Sequence, residues 1–502
     1  MSRRALFWNS VSGTALYAAS VIVSFVMSPV MVRYLGDGGY GFWELLLGLV
    51  GYLGILDMGV APAVMRFVAL AHASGDRERM RGVVNAGFAT FLVAGLFGAG
   101  VIAVISIRPE WAFAKIPVGL ADARLAILLA ALIFLLTFTR ATFSASLMGL
   151  QYHRIVNTTR IVTSFGQAIA IYTLLPRYPG HALVVVAAVC VVVTLLESLF
   201  FATLLMAMLG HGYAPWTARW AEGRDLFGFG AKSAGLMASS SLVKQGILFV
   251  LAHVLGVEAV TFYVFAGRLV EYGQQLAMAI GFPMAPYLTA AFGGGGIDAA
   301  RQAWLSTTRV MQFIQAGIAM GLYWLGLPFL ARWLGPEYAL KGAGVFYFLC
   351  AAALCTVVGA NANRMLVSLN QHGRAAIAAL VLGALCLAAA IPATMAFGIT
   401  GAAGAAFAFM VGLNLVEFTL VCRALGVERA PLVLGAVRRN LPPVVVGGLC
   451  MAAAAAVWPA ASYARIAVHG LIGAVPYLVV SWFTALSADE RSRLVVGFRA
   501  RR

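Results

Sequence analysis

The chain of 502 residues is 62% hydrophobic and only 11% charged, against about 45–50% apolar and about 25% charged in ordinary globular domains, so a water-soluble globule is excluded. Its 35 basic and 18 acidic residues give a net charge of +17; no nucleic-acid module accompanies this excess, and in so apolar a chain it is read by side of the membrane. The apolar residues fall into fourteen blocks, each long enough to cross a ~30 Å hydrocarbon core as helix, which makes the fold class an all-α polytopic membrane protein of the inner-membrane type.

Met1-Ser2-Arg3-Arg4 leads into the first block without a small-residue cleavage site, which reads as a retained span at 9–32. Further spans are predicted at 40–65, 83–106, 121–146, 159–176, 182–209, 229–254, 259–290, 310–327, 343–363, 375–396, 401–424, 441–459 and 464–486. With the amino terminus inside, basic residues are roughly threefold more numerous on that side, so both termini are expected in the cytoplasm. The stretch Trp216 to Phe229 reads as an interfacial helix joining two halves. The tail from Ser487, with Glu490 three residues on, fits either an amphipathic helix on anionic lipid or a solvated basic tail. The six cysteines sit in apolar blocks without a CxxC spacing, as buried small hydrophobes do, and no metal or redox site is expected.

Leu35-Gly36 and Leu255-Gly256 are 220 residues apart, each in a short outside loop after a polar-studded span. Six spans separate the copies, so the two halves share one orientation, as in transporters built by duplication. Polar residues concentrate in the corresponding spans 1 and 7, with Ser20 and Ser24 in one and Ser240 and Gln245 in the other. They serve either close helix packing or a hydrated cavity.

Ionisable residues at membrane depth need a partner or a wet cavity. Lys244 lies 12 residues past Lys232 in span 7, about 18 Å further in at 1.5 Å per residue, and Arg268 lies about 14 Å down span 8. Facing a cavity, the two would bind a diphosphate, the guanidinium forking onto phosphate oxygens and the lysine acting as a point charge. Glu271 and Tyr272 share a helix face with Arg268, and Gln275 follows close behind. Glu271 then either orients Arg268 for cargo or merely neutralises it. In the amino-terminal half Arg140 lies deep in span 4 with Asp57 as its expected partner, and Arg66 lies at the inner end of span 2, within reach of the interface or of the same cavity. Glu44, Glu197 and Glu417 are further membrane acids, with Asn414 three residues before Glu417; each either bonds a neighbouring helix or takes part in ion coupling. There is no GxSxG, HExxH or Walker A motif, and the longest outside connections are too short for an extramembrane active site, so the expectation is a transporter and not an enzyme.

Arg33-Tyr34-Leu35-Gly36-Asp37-Gly38-Gly39-Tyr40-Gly41, followed by Leu56-Asp57-Met58-Gly59 and Arg66-Phe67-Val68, resembles the Wzx-type oligosaccharide-lipid flippases of the multidrug/oligosaccharidyl-lipid/polysaccharide exporter superfamily. Gly149-Leu150-Gln151, Leu255-Gly256 with Tyr263, and Leu334-Gly335-Pro336-Glu337-Tyr338 are similar to further landmarks of that family. The resemblance implies two six-helix lobes, at 1–210 and 229–424, forming a V around a central cavity. A linker at 211–228 joins them, two extra helices follow at 425–486, and a basic tail at 487–502 ends the chain. It also implies alternating access that carries a polyprenyl-diphosphate-linked oligosaccharide from the cytoplasmic to the periplasmic leaflet of a bacterial inner membrane, with a proton or sodium gradient as driving force and no other cofactor. On this reading Lys244, Arg268, Arg140 and Arg66 bind the cargo, Glu271, Asp57 and Glu417 support or couple, and Ser20, Ser24, Ser240, Gln245, Tyr272 and Gln275 line the cavity. The implied partners are the lipid-linked cargo, membrane lipids and polysaccharide polymerase or export machinery, with the protein itself a monomer and no nucleic acid bound. The competing readings are a cation-coupled multidrug exporter and a non-transporting subunit of an export complex.

Overall fold

A computed structural model describes residues 3–57, 59–113, 116–209, 217, 220–281, 284–356, 359, 361–371 and 373–484. Among these, helix is the only regular structure, and nine helices are long and apolar enough to cross a membrane. That number is smaller than fourteen because two helices, Arg3–Leu53 and Gly373–Leu425, each merge two predicted spans across a glycine kink, and the helices at spans 159–176, 229–254 and 259–290 are not among the nine. The chain divides into two compact units, Met1–Thr261 and Phe262–Arg502.

The first unit holds α1 (Arg3–Leu53), α2 (Val60–Ala73), α3 (Arg77–Ile107), α4 (Leu120–Gly149), α5 (His153–Leu174), α6 (Ala182–Leu209) and α7 (Trp220–Val254), with the first turn of α8 (Val257–Gly281). α1 bends at Gly36, whose φ of 68° is open to glycine at little steric cost. Its second segment buries Phe42, Leu45 and Leu46 completely, and Phe42 meets Phe113 edge-on at 4.7 Å. That segment also runs close to the start of α8. A Cβ on Gly41 would fall 2.1 Å from the Val257 carbonyl oxygen, and Thr261 Oγ1 donates to the Asp37 carbonyl at 2.7 Å. The second predicted span does not continue as one helix. It unwinds at Gly54–Asp57 and restarts as α2, where Asp57 Oδ1 accepts from Ala61 N at 3.0 Å. α3, α4 and α6 pack side by side over Phe91, Phe134, Phe138 and Phe201. α7, expected from the sequence to open the carboxy-terminal lobe, packs on α1, α2 and α3.

The second unit holds the rest of α8, α9 (Met284–Trp333, kinked at Gly296), α10 (Pro336–Cys355), α11 (Ala362–Ser368), α12 (Gly373–Leu425, kinked at Gly398), α13 (Arg429–Val457) and α14 (Tyr463–Thr484). Its largest core gathers Trp304 and Leu288 of α9, Met365 and Leu366 of α11, and Phe418 and Cys422 of α12. α13 and α14 pack on each other and on α9, where Phe313 and Tyr477 stack at 5.5 Å.

The 220-residue repeat read from Leu35-Gly36 and Leu255-Gly256 recurs in the backbone. Gly36 and Gly256, Gly75 and Gly296, and Gln151 and Asn370 all have positive φ at nearly that spacing. A pair of side-chain clamps repeats with them. Arg81 Nε donates to the carbonyl of Leu209, the last residue of α6, at 3.0 Å, and Arg301 Nε donates to that of Leu425, the last residue of α12, at 2.7 Å. Each arginine supplies the charge and the donor that a helix carboxyl end lacks. Replacing either by glutamine should lower stability by about 1 kcal/mol, and replacing both should be additive because the clamps sit in separate units. Thermal midpoints in detergent of the single and double variants check this.

Of the predicted linker at 211–228, residues 217 and 220–228 are described; the latter are the start of α7 and not a separate interfacial helix, and Thr217 Oγ1 accepts from Asn85 Nδ2 at 2.9 Å. The predicted tail at 487–502 lies wholly outside them.

Candidate functional site

Charged and amide side chains gather within each unit, both times on the helix that closes the six-span repeat. In the first unit Glu197 projects from α6 and forms an ion pair with Arg140 of α4. Its other oxygen accepts from the Thr163 hydroxyl of α5. The pair is buried, with 19% of the arginine and 6% of the glutamate side chain exposed, so the surrounding dielectric is low and each charge relies on the other. Arg160, one turn before Thr163, lies near enough to Arg140 to repel it. Among the described residues no acid pairs with Arg160. The carboxylate of Glu197 is thus taken up by Arg140 and Thr163, and the cluster with Arg160 carries a surplus positive charge.

This corrects the expected partnership of Arg140 with Asp57. Asp57 is engaged by the Ala61 N–H in the first turn of α2, and the arginine is neutralised from α6 instead. Neither Arg160 nor Thr163 is among the site residues expected from the sequence. The signal available was a polar stripe on α5, since Arg160, Thr163 and Gln167 recur at i, i+3 and i+7 on one helix face. Gln167 Nε2 extends the stripe to Cys190 Sγ on α6 at 3.4 Å.

In the second unit Glu417 of α12 accepts from Asn363 Nδ2 of α11 at 2.6 Å. Next to this contact Arg364 Nη1 donates to Asn361 Oδ1 at 2.8 Å. Asn414, one turn before Glu417, lies against Gly359, where a Cβ would fall 2.8 Å from both amide atoms. These groups meet at the start of α11.

The remaining predicted residues lie within their own units. Arg66 is exposed on α2, its guanidinium 5.9 Å from the Phe67 ring centre. Lys244 is exposed on α7 in the first unit, whereas Arg268 is half-buried on α8 in the second, with its guanidinium 5.7 Å from the ring centre of Phe265. Glu271 and Tyr272 are half-buried on that helix and Gln275 is exposed. Gln245 packs its carboxamide against α1, where a Cβ on Gly51 would fall 2.8 Å from Nε2, so it fills a close helix contact. Ser20 is exposed and returns its hydroxyl to the Leu16 carbonyl at 2.9 Å; Ser24 is half-buried. The side chain of Ser240 lies outside the described residues. A polar contact not anticipated is that of buried Asn157 on α5, which donates to Ser12 of α1 at 3.0 Å.

Comparison with known proteins adds three findings. Residues 7–292, more than half of the chain, match the family described as polysaccharide biosynthesis protein. An uncharacterized membrane protein of Bacillus subtilis, EpsK, is 23% identical over 98% of this chain and 97% of its own length; a putative O-antigen transporter of Shigella flexneri is 25% identical over 56% and 66% respectively. Among solved structures, the lipid II flippase MurJ in an inward closed conformation aligns over 95% of this chain and 98% of its own with a TM-score of 0.71 at 12% identity. A superfamily transporter from Pyrococcus furiosus aligns over 85% and 96% with a TM-score of 0.62 at 14% identity.

Proposed function

Because the chain belongs to the polysaccharide biosynthesis protein family, we propose that its many apolar helices serve to carry a polyprenyl-diphosphate-linked oligosaccharide from the cytoplasmic to the periplasmic leaflet by alternating access. The observation that carries this reading is the surplus cation of the α4, α5 and α6 cluster. Arg160 stands beside Arg140 while Glu197 can neutralise only one of them, and a half-buried surplus guanidinium at a membrane helix is a receptor for an anion. A diphosphate supplies the missing charge, and the hydroxyl of Thr163 and the amide of Gln167 on the same stripe suit sugar or phosphate oxygens. Lys244, Arg268 and Arg66 remain in the proposal as further cations along the path of the head group. A cationic drug would meet repulsion at this cluster, which disfavours the multidrug reading. The names of the Shigella transporter and of the structurally similar flippase support the same cargo class.

The test is equilibrium binding in nanodiscs of three ligands: a polyprenyl-diphosphate sugar, the corresponding free oligosaccharide and a cationic dye. The expected order is diphosphate-linked sugar far above free sugar, with the dye weakest. Tightest binding of the dye would overturn the proposal.

A further inference from the structure

Glu197 and Glu417 are 220 residues apart, the spacing that also relates Gly36 to Gly256 and Arg81 to Arg301. The two acids therefore occupy equivalent places on the closing helices of the two repeats, α6 and α12. Their surroundings differ in charge. Glu197 is held by the Arg140 guanidinium. The position equivalent to Arg140 is Ala360, and Glu417 receives only the neutral carboxamide of Asn363. Among the described residues no ion pair includes Glu417.

The charged and titratable groups on the helices packed against α12 do not supply the missing countercharge. On α11, Arg364 donates to Asn361. On α9, Arg301 is committed to the Leu425 carbonyl and to Asp298, and Arg309 has contacts other than Glu417. α10 presents the thiols of Cys350 and Cys355, with Glu337 and Lys341 paired to each other at its opposite end. On α12 itself Cys422 is buried in the core, and Arg423 lies in the last turn. A carboxylate at membrane depth without a cation is costly, and it is relieved by taking up a proton. Glu417 also lies, through Asn363, at the start of α11, where the carboxamides of Asn361, Asn363 and Asn414 collect; helix ends within a membrane are where transporters hold coupling ions.

We propose that Glu417 is a proton-binding site which, on the transport reading above, couples cargo movement to a proton gradient. The Asn363 amide keeps donating to Oε1 throughout, and the proton enters and leaves on Oε2. Glu197, its repeat counterpart, stays ionised against Arg140. The repeat has thus been divided into a half with a fixed charge pair and a half with an exchangeable proton.

The experiment is pH-difference infrared spectroscopy on the full-length protein in nanodiscs without cargo, followed by cargo flipping in proteoliposomes under an imposed pH gradient. Acidification should produce a protonated-carboxyl band in the parent. That band should be lost in Glu417→Gln and kept in Glu417→Asp and in Glu197→Gln. Arg140→Gln should add a second carboxyl to the titration by releasing Glu197 from its partner. Stimulation of flipping by the gradient should vanish in Glu417→Gln. Persistence of the band in Glu417→Gln overturns the proposal, as does its removal by sodium at constant pH or a gradient response that survives Glu417→Gln. If the band behaves as expected but the parent flips no diphosphate-linked sugar, the proton site stands and the cargo assignment falls.

Discussion

Replacing Glu197 by alanine should destabilise the first unit by about 3–5 kcal/mol, because it strands Arg140 as an uncompensated charge in a low-dielectric site with Arg160 close by. Among the described residues no other acid pairs with Arg140, and Asp57 is committed to the first turn of α2. Glutamine at 197 keeps an acceptor for the Thr163 hydroxyl and should do less damage. The informative variant is the double replacement of Glu197 by alanine and Arg140 by leucine. A hydrophobic pair of similar volume restores much of what a broken buried ion pair costs, so the double variant should melt well above the single one. Thermal midpoints in detergent measure both. A single Glu197→Ala variant that melts with the parent would mean that Arg140 is neutralised by some other route.

Arg160 should behave in the opposite sense. Losing one charge-assisted contact to a diphosphate costs about 1.5–3 kcal/mol, roughly a 10- to 150-fold loss of affinity. Arg160→Gln should therefore weaken binding of the diphosphate-linked sugar by that factor while leaving binding of the free oligosaccharide unchanged. The same substitution removes the repulsion on Arg140, so stability should hold or rise slightly, as is common when a strained functional group is deleted. Arg160→Lys retains the charge but loses the fork, and its affinity should fall between the two. Equal losses for both ligands would assign Arg160 to helix packing.

The helices were legible in the sequence because lipid exposure demands long apolar blocks, and every predicted span overlaps a helix of the structure. The interruptions were less so. Hydropathy averages over Gly54–Asp57 and over the end of α10 at Cys355 without registering either, because the flanking residues are just as apolar. The Asp57 contact with the first turn of α2 was readable in principle, an acid just ahead of a glycine and an apolar restart, but its depth in a predicted span drew it toward a functional role. The partnership of Arg140 was beyond reach for a different reason. Glu197 lies 57 residues further along the chain, and which of several membrane acids meets a given arginine depends on helix rotation, which composition does not encode. Arg160 was not singled out because an arginine at the start of a predicted span, here 159–176, reads as an ordinary inside charge under the positive-inside rule.

The paired arginine clamps also bear on how each unit can move. They tie the start of α3 to the last residue of α6, and the stretch of α9 just after the Gly296 kink to the last residue of α12, so that in each unit two helix segments far apart in sequence are held together at one end. Neither clamp reaches the unwound segment Gly54–Asp57 ahead of α2, nor the start of α11. An acid stands at each of these places, Asp57 at the first and Glu417, through Asn363, at the second. A change of charge on either acid would thus act beside a helix end that no clamp holds.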